Sequence, residues 1–293
     1  MMLLAFLAQT IRIAVPYLFA AAGGVIAERA GVISLGLEGY MLAGAFGGTV
    51  GAYYSGSPWV GLLAGMAAGL LCALLHALVS LRFRADQVVS GIAINLLVIG
   101  LTRFLLRLAF DSSSNSPRVP GFFIGAPSDS LLVSLVRNPL ILLGLLVPPA
   151  LAWLLYRTPY GLRVRAVGEH PQAAETLGVR VSRVRLTAVA LSGALAALGG
   201  VYLALDQHQF TDEMTAGRGF IALAAVIFGR WDPMRAAIAC LFFAAAETLQ
   251  IQLQGTQIIA SQFIQMIPYV LTIVALAGVV GRAVPPAALG RAE

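Results

Sequence analysis

The chain has no lysine; all 19 of its basic residues are arginine. A Walker A loop holds the β- and γ-phosphates with a lysine, and Schiff-base chemistry needs a lysine amine. Neither can be built here, so if ATP drives this protein, another chain binds it. Charge of either sign is scarce, at 11% of 293 residues, where a soluble domain carries about one quarter. The two cysteines, Cys72 and Cys240, both fall inside apolar runs. That argues against a disulfide or a structural metal site and reads as two small buried hydrophobes. The three histidines have no metal-ligand spacing with the carboxylates, so no metal site is expected. No Ser/His/Asp set assembles either.

What is abundant is apolar surface: 59% of residues are hydrophobic and the mean hydropathy is +0.87. Such a chain is solvated only if lipid is its solvent. A spanning helix needs ~20 apolar residues, and open sheet edges are excluded because each unpaired backbone group costs several kcal/mol. The runs are long and rich in Ala, Leu, Val and Gly, without the alternation of a membrane barrel. They fall at 8–27, 35–54, 59–81, 87–108, 139–156, 186–206, 219–229, 235–253 and 262–281. The fold expected is an all-α polytopic membrane protein, one transmembrane domain over 1–293. It has about 8–10 transmembrane helices, including broken or re-entrant segments. The N-terminal stretch has no basic region or cleavage signal and reads as part of the first span. Pro16 and Pro268 are expected to kink their helices.

Arginine asymmetry orients the chain. Arg157, Arg163, Arg165, Arg180, Arg183 and Arg185 put loop 157–185 in the cytoplasm. Alternation adds Arg29, Arg82, Arg84, Arg230, Arg235, Arg282 and Arg291 to the same side, thirteen of the nineteen. Loop 109–138 is then extracytoplasmic. The net charge of +6 is explained by this rule, and no nucleic-acid partner is implied.

Three segments carry chemistry. Loop 157–185 contains a short helix with readable ends: Glu169 or His170 at the cap, Pro171 at N1, Ala173 and Ala174 inside, Gly178 just past the end. So short a helix is marginal alone. It either docks on another protein, where alanines permit close approach, or merely connects two spans. Residues 27–48, AERAGVISLGLEGYMLAGAFGG, hold too many glycines for a plain span. Gly31, Gly36 and Gly39 suggest unwound backbone, which membranes tolerate where it lines a cavity. Glu38 costs at least ~2.5–3.5 kcal/mol in hydrocarbon. It therefore either faces a cavity, with Ser34 near enough in sequence to share its face, or is protonated or paired to Arg29 or another helix among closely packed glycines. Residues 209–233 repeat the pattern with Gly217 and Gly219 before a run too short to span. A glycine-broken element on each side of the central loop suggests two pseudo-repeat halves around a pathway. Asn95, Glu247 and Gln250 are further intramembrane polar groups, either lining that pathway or bonding helix to helix at ~0.6 kcal/mol each. His208 with Asp206, Asp212 and Glu213 marks the outer end of run 186–206, as an entry surface or a solvated rim.

AERAGVISLGLEG, residues 27–39, resembles the ERAGVxNLGxEG signature of ABC importer permeases for nucleosides and simple sugars. These belong to the branched-chain amino acid and ribose permease superfamily. AVGEHPQAAETLGVRVSRVR, residues 166–185, resembles that family's coupling segment, and MTAGRGFIALAAVIFGRWDP, residues 214–233, a third family segment. Ser34 stands where asparagine is common, and His170 replaces a frequent Asn cap. The resemblance implies a bacterial inner-membrane importer subunit, itself not an enzyme and binding no cofactor. ATP and Mg would bind a partner ATPase, a second homologous permease would complete the pathway, and an extracytoplasmic solute-binding lipoprotein would deliver the solute. Ser34, Glu38 and Asn95 would line the path, and Gly168 to Gly178 would transmit ATP-driven closure. Two rival classes remain open on the residues alone. One is a stand-alone secondary transporter or channel using Glu38 and Glu247; the other is a membrane-embedded enzyme.

Overall fold

A computed structural model describes residues 2–122, 138–254 and 283–291. Ten α-helices account for most of them: α1 (Met2–Arg29), α2 (Leu37–Ser55), α3 (Pro58–Ala77), α4 (Gln87–Phe110), α5 (Pro139–Arg157), α6 (Pro159–Glu169), α7 (Pro171–Thr176), α8 (Val181–Asp206), α9 (Arg218–Phe228) and α10 (Pro233–Gln254). Among the described residues, six helical stretches are long and apolar enough to cross a membrane: Leu3–Arg29, Pro58–Arg82, Gln87–Phe110, Pro139–Arg157, Val181–Asp206 and Pro233–Gln254. The first eight apolar runs each became a helix. The ninth run, 262–281, lies outside the described residues with Pro268, as does 123–137 of the long loop. Helix α1 continues through Pro16.

Local chemistry sets the starts. Helices α3, α5, α6, α7 and α10 each open on proline, whose fixed φ and missing N–H suit the first helical position. The residue before it is usually the cap. Asn138 accepts from Leu140 N at 3.0 Å, Thr158 from Gly161 N at 3.1 Å, and Asp232 from Met234 N and Arg235 N at 3.1 and 3.0 Å. Helix α4 is capped by Asp86, which accepts from the N–H groups of Val88 and Val89.

Helix α8 is the centre of the bundle. In its most apolar window 78% of residues are buried, against 28% for the helix that begins at Pro58. The outer helices present leucine outward, among them Leu63, Leu71, Leu96 and Leu108, where lipid solvates them. Hydrophobic burial gives helices no reason to associate inside lipid, so close contact between small residues does that work. A Cβ added at Gly44 would lie 2.4 Å from Ala197 O, one at Gly69 2.8 Å from Gly193 O, and one at Gly200 1.8 Å from Met41 O. These contacts join α2, α3 and α8 into one seam.

Candidate functional site: two broken helices around a buried carboxylate

The chain leaves helical form between α1 and α2. Gly31 has φ +89, the left-handed region that glycine enters at little cost, and a Cβ there would lie 3.2 Å from Ala288 O. Backbone polar groups freed inside a bundle must find partners, and loop 30–36 finds them on several sides. Ala30 O accepts from Arg185 Nε at 3.3 Å, and Gly31 O from Gly290 N at 3.1 Å. Ile33 N donates to Gln87 Oε1 at 2.8 Å. Ser34 donates to Glu28 Oε1 through its backbone N at 3.2 Å and its hydroxyl at 2.9 Å. Leu35 O accepts from Asn95 Nδ2 at 2.9 Å, and Gly39 N donates to Asn95 Oδ1 at 2.8 Å.

The second break is the start of α9. Its cap, Gly217, has φ +82. Helix α9 has 11 residues, about 16 Å long, roughly half the hydrocarbon thickness. At its far end the turn to α10 binds the end of α1. Trp231 Nε1 donates to Glu28 Oε2 at 2.5 Å, and Arg29 Nε donates to Trp231 O at 2.8 Å. So α9 runs from that end to a point partway along the bundle. There Glu38, in the first turn of α2, meets it. Glu38 Oε1 accepts from Gly217 N at 2.8 Å and Oε2 from Gly219 N at 2.6 Å. One carboxylate thus lies at the N-termini of two helices, where their dipoles favour negative charge. It satisfies backbone donors that α9 cannot satisfy itself.

A cavity of about 260 Å³ opens beside this junction, lined among others by Glu38, Asn95, Ile99, Thr215, Gly217 and Phe220. It offers a carboxylate, an amide, a hydroxyl and an aromatic ring. Among the sequence candidates it unites Glu38 and Asn95 and excludes three. Ser34 faces Glu28 near the arginine-rich end of the bundle. Glu247 accepts from Arg218 at 3.1 Å and from the Tyr17 hydroxyl, so it balances the arginine between Gly217 and Gly219. Gln250 lies further along α10, half-buried. Of the glycines, Gly31, Gly36 and Gly217 sit in the breaks. Gly39 and Gly219 are helical and serve close packing: a Cβ at Gly219 would lie 2.5 Å from Glu38 N. Sequence reasoning missed Glu28, Gln87, Arg185 and Trp231. Glu28 had a signal, a carboxylate directly after apolar run 8–27 and beside Arg29. At the other end of the bundle, Arg103 pairs with Asp212 and Glu213 at 2.7 Å each, and Arg12 with Asp206 at 3.3 Å.

At the arginine-rich end, α6 and α7 form a small lobe. Its ends follow the sequence reading: His170 is the α7 cap, Pro171 the first helical residue, and Gly178 turns at φ +82. The surroundings change the roles. Pro171, Ala174 and Gly168 are buried, and a Cβ at Gly168 would lie 2.0 Å from Arg29 O. These three seat the lobe on its own bundle. The alanine available to a partner is Ala173, exposed with Glu169 and His170. Leu162 and Leu177 are also exposed, at 61% and 84%. An arginine at Ala174 would therefore disturb the lobe's seat before it disturbed any docking face.

A polytopic helical protein whose two broken elements meet at an internal polar cavity has the architecture of a membrane permease. The family described as "Branched-chain amino acid transport system / permease component" matches residues 6–276, and the chain belongs to it. It is 41% identical to the guanosine ABC transporter permease protein NupQ of Bacillus subtilis, over 96% of this chain and 93% of that one. It is 38% identical to the nucleoside ABC transporter permease protein NupC of Lactococcus lactis, over 94% and 92%. Each organism has a second permease protein, NupP and NupB, that also matches, at 24% and 22% identity. Among solved structures, a putative metal-chelate type ABC transporter in an inward-facing conformation shares the fold. Its TM-score is 0.55 at 17% identity, covering 92% of this chain and 84% of that one.

Proposed function

We propose that this chain is the shorter permease subunit of an ATP-driven nucleoside importer in the bacterial inner membrane. The observation that carries the reading is near full-length similarity to two permease proteins named for guanosine and nucleosides. The cavity suits such a solute. A base offers N–H donors and a flat face, and a sugar offers hydroxyls, against a carboxylate, an amide and Phe220. Its volume lies near the lower end for small-molecule sites, as expected of half a pathway completed by a second permease. The paired relatives in both organisms support a heterodimer. Nucleotide would bind a separate ATPase, since this chain has no lysine for a Walker A loop. Leu162 and Leu177, exposed on a lobe outside the spanning helices, suit docking of that ATPase on a cytoplasmic face. A solute-binding lipoprotein would deliver solute from the other side.

Solute-stimulated ATP hydrolysis by the reconstituted complex tests the substrate class. Guanosine and other nucleosides are expected to stimulate it and glucose to leave it at the basal rate; stimulation by glucose alone would refute the nucleoside assignment. The lobe makes its own prediction. Gly178 lies in open space at φ +82, so Gly178→Val adds only the left-handed backbone cost of about 1–2 kcal/mol. Recovery of the ATPase with the tagged permease is expected to fall severalfold, with the permease itself still inserted. Unchanged co-purification would count against α7 as the docking helix.

A further inference from the structure

The described tail, residues 283–291, has no helix yet makes backbone bonds to two separate parts of the chain. Ala288 N donates to Gly168 O at 2.9 Å, in the lobe. Two residues on, Gly290 N donates to Gly31 O at 3.1 Å, in the broken loop. Ala287 N reaches Glu169 Oε2 at 3.3 Å, and Arg185, which holds Ala30 O, also donates to Arg291 O at 3.3 Å. Ala288 is 2% exposed, and Pro286 is buried with it. Gly290 turns at φ +78, where a Cβ would lie 2.8 Å from Ile33 Cδ1. Gly168 packs directly on the end of α1. Among the described residues, the tail is what bonds the lobe to loop 30–36, the loop that leads into Glu38. The tail also walls a groove beside His170, Pro171 and Ala173.

We infer that residues 286–291 are a positioning strap that makes the lobe and loop 30–36 move together, so that a shift of the lobe is delivered to the Glu38 junction. The inference rests on the importer reading, because it needs a lobe that a partner moves. Two variants address it. Truncation after Arg282 removes the strap. Ala288→Pro keeps the chain but removes the N–H that bonds Gly168 O. Each is assembled with the partner permease and the ATPase in vesicles, with guanosine and the binding protein supplied, and uptake is measured against ATP hydrolysed. A linking element of this kind is expected to lower guanosine moved per ATP by about tenfold, with hydrolysis continuing and complex recovery close to the unaltered level. An unchanged ratio would overturn the strap. So would equal losses of uptake, hydrolysis and recovery, which would mark the tail as a stability element alone. Lack of guanosine-stimulated hydrolysis in the unaltered complex is a different failure; it would overturn the importer reading and the strap with it.

Discussion

Glu38→Gln is expected to abolish most uptake while leaving the protein inserted in the membrane. Glutamine is nearly the same size, but both glutamate oxygens accept from backbone N–H groups, Gly217 N and Gly219 N. An amide offers one oxygen and one NH₂, so one N–H of α9 is left facing another donor. An orphaned buried donor costs about 1–3 kcal/mol, or roughly five- to 150-fold in an equilibrium. The start of α9 would separate from α2 and the cavity wall would lose its shape. Initial-rate uptake at matched membrane expression measures this, and a loss of about tenfold or more is expected. Uptake equal to wild type would show that the junction is not a working part of the pathway.

Gly200→Leu is expected to prevent folding altogether. The added Cβ would lie 1.8 Å from Met41 O and 2.7 Å from Met41 C, with Ala45 N at 2.9 Å. All three are backbone atoms of α2, which cannot rotate aside as a side chain can. Overpacking costs typically 1–3 kcal/mol where side chains give way, and more where a helix must move. Here the helix that moves carries Glu38. Gly100→Leu is the matched control: nothing lies within 4 Å of its added Cβ, and the residue is exposed. Size-exclusion profiles of detergent extracts are expected to lose the monodisperse peak for Gly200→Leu and keep it for Gly100→Leu. Equal peaks would contradict a glycine-packed seam.

The spans were legible because lipid solvation demands long apolar runs, which need no knowledge of what packs against what. Proline starts and the Gly178 end were legible for a similar reason: caps are local. The meeting of Glu38 with Gly217 and Gly219 was not. It joins residues some 180 positions apart, and a sequence shows only that each break needs partners. Ser34 and Glu247 show the same limit from the other side. Both are polar groups in apolar surroundings, as Glu38 is. Yet Ser34 satisfies Glu28 and Glu247 balances Arg218. Polarity in hydrocarbon marks a residue as important without saying whether it faces solute or structure. Ala174 is legible as a site of close approach but not of approach to what: it is buried in the lobe's own packing, and burial on one side of a two-turn helix is decided by tertiary contacts.

We propose that this chain forms a pathway and that a separate ATPase powers it, since the chain has no lysine for a Walker A loop. Guanosine uptake into vesicles, with and without an imposed ion gradient, tests it most directly. Vesicles holding the chain alone are expected to show no accumulation under either condition. Vesicles holding the chain with its partner permease and ATPase, given the solute-binding protein outside and ATP inside the equivalent of the cytoplasm, are expected to concentrate guanosine. Accumulation driven by an ion gradient in vesicles with the chain alone would show that the chain powers transport itself and would overturn the proposal.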